Sequence, residues 1–276
     1  MKVQSPIKKK EYKNKIPKSY YSMYPQITFS SKTFQNEFYN NYMEDIIYTN
    51  PLFNGGHHKS LFCVFDGHGG DKSAKISSEK IPTNFLKYLK EKPKDIEQNL
   101  LKSFKVTDNL LKNENCFEQG NTATIVYLEY NNLYCANIGD SSCVLISNYK
   151  GEKISFDDKC TNILEKNRIE KLGNHIFSNR LEGILTLSRA LGDHNLKQSG
   201  LISIPHINKF ILNHYHKFCI IASDGVWDVI DENLVYEFSR YTNNADELCN
   251  IIVDEAINRG TRDNISCIVI GFNWKY

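Results

Sequence analysis

Residues Leu61–Gly70 read LFCVFDGHGG. Five apolar residues run straight into Asp66, Gly67, His68 and two further glycines. An unbroken apolar run of this length, with Phe and Val in it, fits a strand buried on both faces, although periodicity alone does not exclude a buried helix turn. The run ends at an acid. Asp66 and His68 therefore stand at the mouth of a core element, where glycines let the backbone turn sharply and pass close to something bound. A Gly-rich turn with a capping Asp is the competing reading, and this stretch alone does not decide between them.

The same pattern recurs. KFCIIAS (217–223) runs into Asp224 and Asp228, and Asp263 stands just before ISCIVIGF (265–272). Asp140 follows the apolar run of LYCANIG (133–139). Charged side chains beside an apolar core are costly unless paired or bound to a cation, and carboxylate oxygens are the ligands that Mg²⁺ or Mn²⁺ prefers. Each Asp alone has a turn or cap reading. Several at once, with Glu44 and Asp45 in MED, point to a metal.

The chain has 276 residues, 41% hydrophobic and 24% charged, as expected for a globular protein with a large core. No segment reaches the roughly 20 apolar residues of a membrane span. MKVQSPIKKK at the N-terminus has no apolar stretch for secretion and no Gly after Met1, so a cytoplasmic or nuclear location is expected. Eight cysteines are scattered singly, most inside apolar runs and none in a CxxC pair, which argues against a disulfide framework or a zinc site. The formal charge is +2, but the first 20 residues carry seven Lys and one Glu, so the remainder is mildly acidic. That disfavours nucleic acid as the main ligand of the body.

Residues 1–26 are read as a Lys-rich, mobile tail and 27–276 as one α+β domain. Near-helical apolar spacing predicts helices over 72–92, interrupted at Pro82, and 95–113. TATIVYLEYNNLYCANIGDSSCVLIS (122–147) reads as three strands of an antiparallel meander. A polar helix is expected within 159–173, two helices between about 231 and 259, and a closing strand in NISCIVIGF.

MED (43–45), FDGHGG (65–70), GNTAT (120–124), IGDSS (138–142), LTLSRALGD (185–193), SDGVWD (223–228) and TRDNIS (261–266) resemble, in order and approximate spacing, the motifs of the metal-dependent serine/threonine protein phosphatases, the PPM or type 2C family. The match spans about 27 to 272. It implies two antiparallel β-sheets packed as a sandwich, helices outside each, and a dinuclear Mg²⁺ or Mn²⁺ cleft at one end. It also implies an enzyme acting on phosphoproteins, here expected to be a monomer. By that resemblance Asp66 would bridge two ions, with the Gly67 carbonyl on one, Asp224 and Asp263 on the other, and Glu44 holding an ion through water. Asp45 and Asn264 would support the site, Asn264 near the metal water. Thr122 would lie near the metals, and Asp140 and Asp228 would hold a weaker third ion. A hydroxide bridging the ions would attack phosphorus, and His68 would protonate the departing serine or threonine oxygen.

Arg180 is expected near the substrate groove, and 159–180 corresponds to the family's variable flap. Arg189 and Asp193 are expected to pair locally. Two departures stand out. DDKC (157–160) has Asp158 and Cys160 where the family has His and Pro in DHKP, an expected effect on loop stiffness. Asn40 stands where the family has the Arg that clamps phosphate, with Lys32 or Arg180 as possible substitutes. A modified but active phosphatase is the preferred reading, with a pseudophosphatase scaffold as the alternative; a metal-dependent nuclease is disfavoured by the acidic body.

Overall fold

The computed structural model describes residues 24–56 and 58–274; most of the Lys-rich segment lies outside them. In chain order the strands are β1 (Gln26–Phe34), β2 (Ile46–Asn50), β3 (Lys59–Phe65), β4 (Gly67–His68), β5 (Gly120–Asn121), β6 (Ala123–Glu129), β7 (Asn132–Ile138), β8 (Ser142–Ser147), β9 (Gly151–Lys153), β10 (Ile176–Phe177), β11 (Arg180–Leu181), β12 (Leu191–Gly192), β13 (His206–Ile211), β14 (His216–Ala222) and β15 (Ile265–Asn273). The helices are α1 (Lys72–Glu91), α2 (Ile96–Asn113), α3 (Ile163–Lys171), the single turn α4 (Asp224–Trp227), α5 (Glu232–Ser239) and α6 (Ala245–Asn258).

Two five-stranded antiparallel sheets, β1-β15-β14-β8-β9 and β13-β7-β6-β3-β2, pack face to face. The opening stretch shows why. In β3, Leu61, Cys63 and Phe65 join the core under α1 and α2, while Phe62 and Val64 join the core between the sheets. A strand with the two-residue side-chain period can be apolar throughout only if both faces are covered. β14 does the same in the other sheet: Phe218, Ile220 and Ala222 face α5 and α6, and Cys219 and Ile221 face β3's sheet. The result is four layers, helices on both outer faces of a sandwich, as expected. Among the described residues no helix is long and apolar enough to cross a membrane.

Three expectations are corrected. α1 runs unbroken through Pro82, which is itself buried. Losing one helical hydrogen bond costs about 3 kcal/mol, and burial of Ile81, Phe85 and Leu89 in the core under the first sheet outweighs it. Of the three strands expected in the meander, β6 and β7 form a hairpin, but β8 crosses to the other sheet and pairs with β14 and β9. Asp140 sits on that crossing. Finally, the segment over the site does not stop at 180: Cys160, Ile169, Leu181, Ala190 and Leu201 form a small core of their own that extends it to about 201.

Candidate active site

Each strand mouth delivers its acid to one end of the sandwich. Asp66 follows β3, Asp140 lies on the β7–β8 crossing and Asp224 opens α4 after β14. One carboxylate oxygen from each lies within 4.8 Å of the others. Asp263, exposed and just before β15, is outside this triad, and one of its oxygens accepts from the Asn264 N–H at 2.7 Å. Asp140 thus stands together with Asp66 and Asp224. Asp228, largely exposed, lies outward of it.

Burial and like charge act together here. Burial pushes the Asp66 carboxyl well above the usual range, reinforced by Asp45, Asp224, Asp140 and Asp263. Asp224 is pushed up to about 8 by burial and then by Asp140 and Asp263. Burial raises Asp45 to about 6, against a hydrogen bond from Ser223. Burial likewise raises Asp140, partly offset by Lys159. Lys159 Nζ lies 3.3 Å from Asp140 and 3.5 Å from Asp228. Burial pulls its ammonium down, and the two acids more than reverse that. One ammonium against this many carboxylates leaves the cluster short of positive charge.

The scaffold around the cluster is tight. The Thr122 hydroxyl accepts from the Asp66 N–H at 3.3 Å and meets Ser141 Oγ at 2.7 Å, and Ser141 reaches Asp66 Oδ2 at 3.5 Å. Thr122 thus positions Asp66. Ser223 Oγ donates to Asp45 at 2.8 Å, and the Gly70 N–H donates to Glu44 Oε1 at 2.6 Å. Gly67 has no room for a side chain, since a Cβ would lie 2.7 Å from the Glu44 carbonyl.

Asn264 differs from expectation. Its Oδ1 accepts from the Glu44 N–H at 2.8 Å, and its Nδ2 donates to the carbonyls of Gln35 and Tyr42. The amide is taken up by the loop carrying Glu44. Asn40 similarly donates to the Arg262 carbonyl at 2.8 Å. Neither substitute for a phosphate clamp is free: Lys32 pairs with Asp254 on α6, and Arg180 donates to the Ile184 carbonyl of its own turn. Arg262, to which the sequence assigned nothing, is exposed beside Asp263 with its guanidinium 5.6 Å from the centre of the Tyr39 ring.

The largest correction concerns Asp193. It does not pair with Arg189. The backbone there is strand and left-handed turn, not helix, so residues four apart do not face each other. Asp193, buried, lies 2.7 Å from His68 Nε2. The small sheet β12-β5-β4 brings them together, over Gly120, where a Cβ would strike Asp193 and come within 2.6 Å of His68. Arg189 instead joins Glu165, Asp158, Arg168 and His206 beneath the flap. Asp158 is wholly buried there and accepts from the Gly139 N–H at 3.0 Å, so its replacement of the family His is an ionic matter and not one of loop stiffness.

A family model described as Protein phosphatase 2C matches residues 29–265. The chain belongs to the protein phosphatase 2C family, and so to the serine/threonine protein phosphatases. It is 33% identical over 238 residues to probable protein phosphatase 2C 45 of Oryza sativa subsp. japonica, covering 83% of each chain. It is 34% identical to protein phosphatase 2C homolog 2 of Hypocrea jecorina, covering 77% of this chain and 53% of the relative. The chain thus spans from about half to most of the length of these relatives. Among solved structures, a Caenorhabditis elegans sex determining protein superposes with a TM-score of 0.80 at 25% identity, over 89% of this chain and 64% of that one. The serine-threonine phosphatase 2C of Toxoplasma gondii shares the fold, with a TM-score of 0.76 at 22% identity over 91% and 96%.

Proposed function

We propose that this protein releases phosphate from phosphoserine and phosphothreonine in proteins, in a reaction that requires Mg²⁺ or Mn²⁺. The observation that carries this is the convergence of Asp66, Asp140 and Asp224 beside an otherwise unexplained His68–Asp193 pair. The donor set is all carboxylate oxygen, short of counter-charge, and fits small hard divalent cations. Asp66, Asp140 and Asp224 would hold two of them, with Asp263, the Gly67 carbonyl and Glu44 at the margin and Asp228 on a weaker third. When bound, such cations acidify water between them and neutralise phosphoryl oxygens.

The chain's own residues supply the rest. His68 Nε2 is held by Asp193, which would leave Nδ1 of the doubly protonated ring to give its proton to the departing serine or threonine oxygen. Asp193 is a positioning residue: it fixes the plane of the ring. Thr122 and Ser141 hold Asp66 in place, and Asn264 fixes the loop of Glu44. No observation favours the alternative, a phosphoprotein-binding scaffold without turnover.

The test is phosphate release from phosphoserine and phosphothreonine peptides with Mn²⁺ and with EDTA. Release only with the cation is expected. His68→Ala should slow the peptides about 100-fold, and p-nitrophenyl phosphate far less, because its phenolate leaves without a proton. Asp193→Asn should change the pH profile of kcat, which a merely structural defect would not. No cation-dependent release from any peptide would overturn the reading.

A further inference from the structure

Against His68 and Asp193 lies a cavity of about 410 Å³ that none of Asp66, Asp140 and Asp224 lines. His68 and Asp193 form one wall. Phe117 and the flap residues Ile184, Leu185 and Leu196 supply apolar surface, with Glu118 and Asn195 as the remaining lining. Phe117 and Ile184 are exposed, Ile184 to 63%. The rim is fixed on one side by main-chain bonds: Asn195 N–H donates to the Phe117 carbonyl at 3.1 Å and Asp193 N–H to the Gln119 carbonyl at 3.0 Å. The volume falls in the range of ligand clefts, about 300–1,000 Å³. No Lys or Arg lines it, and two of its lining residues are acids.

We infer that this cavity is a specificity pocket for an apolar side chain of the substrate, one or two residues from the phosphoresidue. The inference rests on the proposed phosphatase reading and deepens it. When the leaving oxygen lies at His68, the peptide that carries it crosses the imidazole. An extended chain advances about 3.3 Å per residue, so a side chain one or two residues away lies within reach of the cavity that His68 lines. The apolar walls accept Leu, Ile, Met or Phe, whereas Asp193 and Glu118 repel Asp, Glu or a second phosphate. Because Ile184 and Leu185 belong to the flap and His68 to the small sheet β12-β5-β4, the pocket reads the substrate where the two meet.

The experiment uses the full chain with Mn²⁺ and phosphothreonine peptides carrying Leu or Asp, one position at a time, at the two residues on either side. Burying a leucine-sized side chain corresponds to about 10- to 100-fold. A preference for Leu over Asp of about 10-fold or more in kcat/KM, confined to one position, is expected. Ile184→Glu, an exposed site where folding is not at stake, should cut that preference below about twofold. In parallel, the Ile184 methyl resonance is followed during titration with the Leu and Asp peptides; it should move with the first only. A methyl shift with the Leu peptide but no turnover of any peptide would leave the pocket and overturn the phosphatase reading. Turnover with no single-position preference, or with an equal preference at all four positions and no methyl shift, would overturn the pocket.

Discussion

Among the described residues, two clusters bring three buried or half-buried ionisable side chains within 4.8 Å: Asp66, Asp140 and Asp224 at the strand mouths, and Asp158, Glu165 and His206 beneath the flap. Their residue types are alike and their counter-charges differ, although burial raises the Asp158 carboxyl of the second as it raises those of the first. In the second, Arg189 reaches both Asp158 and Glu165, and Arg168 reaches Glu165 at 2.8 Å. Hydrogen bonds from these guanidiniums overcome burial and hold the Glu165 carboxyl at about 2. In the first, one partly exposed ammonium faces several carboxylates, and Asp224 is held at about 8. Proximity of acids therefore does not by itself mark a metal site. The shortage of counter-charge does, because a cation then has somewhere to be favourable.

The comparison breaks most visibly if an arginine is removed from the balanced cluster. Arg189→Ala takes from Asp158 and Glu165 the guanidinium they share, leaving His206 and Arg168 as their remaining partners, and should cost up to about 3–5 kcal/mol, read as a shift in urea midpoint, with partial recovery in Arg189→Ala/Glu165→Gln. Loss of under about 1 kcal/mol would show that the cluster is not held by charge. In the unbalanced cluster the same logic inverts. Asp66→Asn should lower cation-dependent turnover about 100-fold or more and yet raise the melting temperature in EDTA, since it removes a buried carboxyl that the fold otherwise holds protonated against its ordinary value. Wild-type turnover at saturating Mn²⁺, or a lower melting temperature in EDTA, would contradict the assignment.

Titration should separate the two further. For the acid cluster, folded carboxyl values are raised, so the native state binds more protons than the unfolded state between about 4 and 8. Its contribution to stability therefore falls as pH rises through 6 and 8, the values of Asp45 and Asp224. Glu165 is depressed, so its contribution is full above 4.5 and is lost as pH falls toward 2. In EDTA the melting temperature should drop by a few °C (about 2–4 °C per kcal/mol at this size) from pH 5.5 to 8.5. Mn²⁺ should remove most of that drop, and an EDTA curve flat over this range would refute the charge shortage. The smallest expected effect is Lys159→Met. Its ammonium is about one-third exposed, so stability should change by under about 1 kcal/mol. Apparent Mn²⁺ affinity by calorimetry should rise a few-fold, because the cation no longer competes with an ammonium; weaker binding would make Lys159 a support of the site instead.

The sequence by itself placed Asp66 and Asp224, and the reason is local. An apolar run that must be covered on both faces can end only where the chain leaves the core, so the acid that ends it lies at a strand mouth. It also gave α1, α2 and the hairpin β6–β7, whose periods are intrinsic to short segments. Tertiary structure decided what depends on distance. β8 could join either sheet, and its crossing set Asp140 together with Asp66 and Asp224. Pro82 looked like a break because local rules omit the burial that keeps the helix whole. Asn264 carried a side chain able to serve metal or backbone, and only the position of the 35–44 loop chose the backbone. Asp193 looked like the partner of Arg189 because they are four residues apart, but that rule holds on a helix and the chain there is extended. Its partner His68 is 125 positions away, brought close by a two-residue strand pairing that no periodicity announces. A charge finds whichever opposite or hydrogen-bonding group the fold sets beside it, and that neighbour is a property of the packing and not of the segment.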